Sequence, residues 1–170
     1  MHGHNFFELA YITGGTAEHT LETEVKTISA GDYFIVDYGC LHGFQNCKNL
    51  TLINCLFLPE TVDETLQGCR SFSQLLQGCL LKYYRMSLGK ARLARVSHDR
   101  DGQVGRLMQE MLLEYQEQKV GCYPLLRLKL LEILLLTLRG LIEPENERPY
   151  ADLYDAFRRY NDEIYADGQS

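Results

Sequence analysis

The feature that most constrains this chain is a change of period near residue 60. Before it, short runs rich in Phe, Tyr, Ile, Val and Thr are broken by Gly- and Asn-containing turns. After it, apolar residues recur every three or four positions. Residues 6–13, 18–22, 25–29, 33–36, 42–46 and 50–58 read as six strands, with Gly14-Gly15 and Ala30-Gly31-Asp32 as turn signals. Short strands at such spacing close into a sandwich or a barrel. The expectation is therefore a mainly β chain with C-terminal helices.

The second half supplies those helices. Residues 64–81 read as one or two short helices, and 91–96 as a returning strand. Over 102–118, Val104, Leu107, Met108, Met111, Leu112 and Tyr115 fall on one side of a 3.6-residue period. Pro124 suits the first turn of the next helix and Gly140 its end. That helix is apolar nearly all round, so one barrel face cannot cover it; it is either sandwiched or shared with a second subunit. A homodimer through residues 103–141 is the expectation. Residues 143–148 (EPENER) read as a linker, and 150–165 as one more helix. The expected organisation is a barrel with short helices over 1–100, a helical dimerisation hairpin over 101–142, and a linker leading into a further domain over 143–170.

Bulk properties exclude several roles. At 170 residues and 45% hydrophobic, the chain suffices for one domain with its own core. A net charge of −6 argues against this piece being a nucleic-acid-binding surface, since phosphate affinity needs clustered Lys and Arg. The basic residues Arg85, Lys90, Arg92, Arg95 and Arg100 alternate with apolar ones, which suits a solvated strand edge. The six cysteines form no C-x-x-C pair and read as free thiols in a reducing compartment. The most apolar run, 125–141, is broken by Arg127, Lys129, Glu132 and Arg139, so no membrane span is expected and the location reads as cytoplasmic.

The chemistry lies in two spaced motifs. His2-x-His4-xxx-Glu8 is followed seven residues later by Gly15. Residues 2, 4 and 8 share parity, so along a strand their side chains leave on one side, with Phe6, Ala10 and Ile12. The second motif, Gly31-xxxxx-Asp37-x-Gly39-xx-His42-xxx-Asn46, sets another imidazole on a separate strand. In this spacing and order the pair resembles the two signatures of the cupin superfamily, with Asp37 standing where those proteins carry Pro. The resemblance implies a double-stranded β-helix (jelly-roll) barrel with His2, His4, Glu8 and His42 facing its lumen.

The surrounding segments HNFFELAYITGGTAEHTLE, ISAGDYFIVDYGCLHGFQNC and LTLINCLFLPE resemble the sensor domain of AraC-type transcription regulators. Residues 103–141 resemble the dimerisation hairpin of that family. The resemblance implies a small-molecule effector, possibly a sugar, bound in the barrel, and DNA contacted only through a helix-turn-helix domain absent from this chain. Three His and one Glu also suit a divalent transition metal such as Zn, Ni, Fe or Mn. In the competing reading the same four residues hydrogen-bond an effector or one another. Tyr11, Tyr33, Tyr38 and Phe44 are candidate pocket walls, with core packing as their alternative; Phe44, two residues beyond His42, is the strongest. His19 and His98 read as surface residues. No nucleophilic triad or phosphate loop is visible, and the alternative to a sensor is a stand-alone metal-dependent cupin enzyme of dioxygenase or isomerase type.

Overall fold

One long strand organises the sheet. In a computed structural model, which describes residues 1–80 and 96–141, β1 (Phe7–Leu21) pairs antiparallel with β4 (His42–Phe57) along its length. On its other edge lie β2 (Glu24–Ser29), beside its second half, and β3 (Asp32–Val36), beside its first. A two-residue β5 (Ser97–His98) pairs with β3. The expected strand at 91–96 falls almost wholly outside the described residues. The basic run 85–95, the linker at 143–148 and the helix at 150–165 lie outside them entirely.

Two expected turns prove to be bulges. Segments 6–13 and 18–22 are one strand, and 42–46 and 50–58 are another. The β1–β4 register slips between Ile12 and Glu18, around Gly15, whose φ is +71°. A Cβ at Gly15 would drive into the backbone carbonyls of Lys48 and Asn49, so only glycine fits there. At the same level β4 bends through Asn46 and Asn49, both at φ +51°, and the neighbouring edge bends between β2 and β3. Aligned kinks across neighbouring strands roll the sheet into an antiparallel half-barrel. The fold is mainly β and cupin-like, with helices at its C-terminal end.

The bulge also switches parity. Before it, Ala10 and Ile12 face the lumen; after it, Ala17 and Leu21 do, packed with Ile28, Phe34 and Val36. The opposite parity of the first half, Phe7 and Leu9, joins Phe57 and Tyr33 in a second core roofed by helices. These are α1 (Pro59–Val62), α2 (Phe72–Leu75), α3 (Gln103–Glu117) and α4 (Cys122–Leu141). Each fully buried Leu or Phe contributes about 1.5–3 kcal/mol of apolar transfer, which makes this face the main adhesive of the fold.

The helices divide as their apolar stripes dictate. In α3, Val104, Leu107, Met108 and Met111 are buried against the sheet, while Leu112 and Tyr115 emerge beyond it. In α4, Leu130, Ile133, Leu134 and Leu138 are buried, and Leu125 and Leu128 are exposed. Asp37 accepts the Phe72 N–H at 2.8 Å, tying the end of β3 to the first turn of α2. Cys47, Cys55, Cys69 and Cys122 are free thiols.

Candidate functional site

At the open end of the lumen, backbone pairing assembles the two motifs. His2 and His42 exchange both backbone hydrogen bonds at 3.0 Å, and Gly39 N–H donates to the His4 carbonyl at 2.8 Å. The His2 and His42 rings lie 4.5 Å apart, those of His4 and His42 5.2 Å. Glu8 sits among them, with Oε2 3.2 Å from His4 Nε2 and 3.6 Å from His42 Nε2. Donor atoms of His2, Glu8 and His42 all fall within 4.8 Å of one another.

The electrostatics of this cluster are unsettled by design of its burial. The His4, Glu8 and His42 side chains are each at most 6% exposed. Burial pushes the Glu8 carboxyl above its usual range, against the opposing pull of His4 and His2. Burial, and then the other imidazoles, lower His42 to about 4. His4 donates its Nδ1–H to the Phe6 carbonyl at 2.8 Å, which turns its Nε2 toward Glu8. His42 Nδ1 is buried without a hydrogen-bond partner, while His4 Nε2 and His42 Nε2 share the single Glu8 carboxylate. A buried ring nitrogen without a hydrogen bond is rare in folded proteins and gives a ligand atom a place to bind.

The structure adds one residue that sequence reasoning missed. His19 is buried in the lumen, stacked on Phe34 at 4.1 Å and 5.8 Å from the His42 ring. Burial lowers it to about 4, and its Nε2 is also without a partner. Its surface assignment was mistaken because the Gly14-Gly15 bulge inverts the parity beyond it; the Gly pair was the available signal. His98 is exposed as expected, with Nδ1 2.7 Å from Asp32.

Of the aromatic candidates, only Phe44 joins this cluster, 5.2 Å from His19 and 6.4 Å from His42. Tyr11 and Tyr33 belong to the opposite face of the sheet and pack under the helices, because odd residues of β1 and β3 point away from the lumen there. Tyr38 likewise packs against Phe7 on the helix side. Outside the barrel, a largely apolar groove of about 1350 Å³ runs between β4 and the hairpin, lined by Cys55, Leu56, Met111, Leu112 and Leu128. It is remote in chemistry from the imidazoles. No helix among the described residues is long and apolar enough to cross a membrane.

A half-barrel that gathers polar donors in a dry lumen and carries helices on its back defines a class, the cupin-like ligand-binding domains. The chain belongs to the AraC-like ligand binding domain family, whose model matches residues 1–134 and so takes in α3 and more than half of α4. Among curated proteins none matches the chain. Membership points to the sensing domain of an AraC-type regulator rather than to an enzyme.

Proposed function

We propose that this domain senses a small polar metabolite, of sugar size, in its lumen and pairs two subunits through its hairpin within a bacterial transcription regulator. In this reading residues 1–100 form the sensor and 101–142 the dimerising hairpin. Residues 143–170 lead to the domain that touches DNA. The observation that carries the reading is the buried His4–Glu8–His42 cluster, in which two imidazoles share one carboxylate while His42 Nδ1 and the nearby His19 Nε2 have no hydrogen-bond partner. His2, His4, Glu8 and His42 would hold the ligand, and Phe44 would form its apolar wall.

The donor set also fits a divalent transition metal. The Phe6 carbonyl fixes His4 in the tautomer a metal ligand needs, and three donors lie within 4.8 Å of one another. When bound, the metal would supply positive charge and an anchor for an oxygen of the effector. Untagged protein exposed in turn to Zn, Ni, Fe and Mn, and to a panel of sugars, tests both readings by metal content and thermal shift. The expected result is a rise in Tm with at least one, abolished by Glu8→Gln and His42→Phe. No shift with any of them would sink the lumen as a binding site. Stoichiometric Fe or Mn with turnover of a dioxygenase or isomerase substrate would replace the regulator with an enzyme.

Pairing is supported by the hairpin, whose Leu112, Leu113, Tyr115, Leu125 and Leu128 remain exposed after the barrel is covered. Sedimentation should show a dimer that Leu128→Glu converts to monomer; a wild-type monomer at high concentration would refute it.

A further inference from the structure

Two phenols on the back of the sheet do more than pack. Tyr11 and Tyr33 are register partners on β1 and β3, and each holds one helix of the hairpin. Tyr11 donates to Asp99 Oδ2 at 3.2 Å. The same carboxylate accepts the N–H groups of Val104 at 3.3 Å and Gly105 at 2.8 Å, in the first turn of α3. The N-cap of α3 is Gly102, which has no side chain to cap with, so Asp99 supplies from outside what that position lacks. Asp99 is itself fixed, its N–H donating to the Gly31 carbonyl at 2.9 Å. The seat is close, since a Cβ at Gly105 would collide with the Tyr11 phenol. On β3, the Tyr33 hydroxyl lies 3.4 Å from that of Thr137, in the buried stripe of α4. The lumen begins one residue away on the same strands, where Ala10 faces Phe34 in register and Phe34 stacks on His19.

We propose that the Tyr11–Tyr33 pair, acting through Asp99 and Thr137, is the junction that relays the state of the lumen to the seat of the hairpin. The proposal rests on the lumen being the effector site and adds the route by which occupancy would reach the helices. A shift of the backbone at Ala10 or Phe34 carries the adjacent phenol with it. Because one carboxylate serves both Tyr11 and the α3 N-terminus, moving the phenol disturbs the helix cap. Asp99 and the two tyrosines are positioning residues, for none of them touches the lumen. An effector can bias the hairpin only by its differential affinity for the two arrangements, and this junction is where that difference would be felt.

A lumen change that needs no ligand provides the test. Phe34→Leu alters the lumen wall, and hydrogen exchange of the Val104 and Gly105 amides in the full chain reads the seat of α3. The expected result is exchange about tenfold faster at those two amides, the scale of one lost hydrogen bond. The amide of Gln118, at the far end of α3, should be unchanged. In a Tyr11→Phe background exchange is already fast, and adding Phe34→Leu should accelerate it no further. Additive effects of the two substitutions, or no effect of Phe34→Leu on a folded protein, would overturn the junction. If Tyr11→Phe fails to fold, Asp99→Asn, which keeps the shape and one acceptor, should abolish the response to Phe34→Leu in the same way. Should no metal or sugar bind the lumen while the non-additivity persists, the sensor reading falls and the junction stands.

Discussion

The two faces of β1 are equally dry but treat their polar atoms in opposite ways. On the helix side, the Tyr11 hydroxyl donates to Asp99 and the Tyr33 hydroxyl accepts from Thr137, so both of these phenols have a partner. On the lumen side, His19 Nε2 and His42 Nδ1 are buried with no hydrogen-bond partner, and His4 and His42 share the one Glu8 carboxylate. Burying a polar atom without a partner costs about 1–3 kcal/mol, so the lumen holds a cost that the helix side avoids. A face that settles its polar groups internally is built for cohesion. A face that leaves them open is built to receive something, at the expense of stability.

That contrast can be broken by substitution and by pH. The largest effect is expected where the two faces exchange roles: Gly15→Val should cost about 3 kcal/mol or more, through both its positive φ and the carbonyls in its path, in chemical denaturation. On the helix side, Leu9→Ala should cost about 2–5 kcal/mol, since Leu9 is wholly buried in the main core. Next comes pH. In chelator-treated protein, His19 and His42 titrate near 4 when folded and near 6.5 when unfolded, so the unfolded chain binds more protons in between. Stability should be full above about pH 6.5, fall as pH drops toward 4, and level off below. The raised Glu8 carboxyl opposes this over part of the same range, so the net slope should stay below two protons and fall further in His19→Gln; no change on His19→Gln would mean that this imidazole is solvated.

The smallest expected effects separate the faces most cleanly. Replacing His19 with Leu removes an orphaned nitrogen, so it should leave stability unchanged or raise it by about 1 kcal/mol. Thr137→Val, on the helix side, strips a satisfied hydroxyl and should lower stability by about 1 kcal/mol in the same assay. Matching signs for the two would erase the distinction between the faces.

The fold was legible because its strongest signals are local. Alternation in 7–12 and 33–36 and the helical stripes of 103–141 each follow from a period that one sheet face or one helix imposes. The spacing of His2, His4 and Glu8 was legible for the same reason, as residues before the bulge keep one parity. What escaped was long-range. Gly14-Gly15 reads as a turn from its own residues, and only the pairing of β1 with Lys48 and Asn49 makes it a bulge. The misplacement of His19 followed from that. Residue type alone leaves Tyr11 and Tyr33 either as pocket walls or as core packing, and the face of the sheet where the helices pack takes them to Asp99 and Thr137.

The bulge at Gly15 also sets a constraint on chain length, apart from residue identity. With an odd offset between the two halves of β1, Glu8 and His19 point into one lumen although their numbers differ in parity. Removing one residue at Gly14-Gly15 would restore an unbroken alternation, keeping Ala17, His19 and Leu21 on the side of Glu8, Ala10 and Ile12 but erasing the slip that lets β1 bend against Lys48 and Asn49. Substitutions elsewhere in β1 alter single contacts, but a deletion there would straighten the strand across the bend and shift its register against β4. The segment is therefore one in which insertions and deletions should be far less tolerated than in the exposed β2 hairpin beside it.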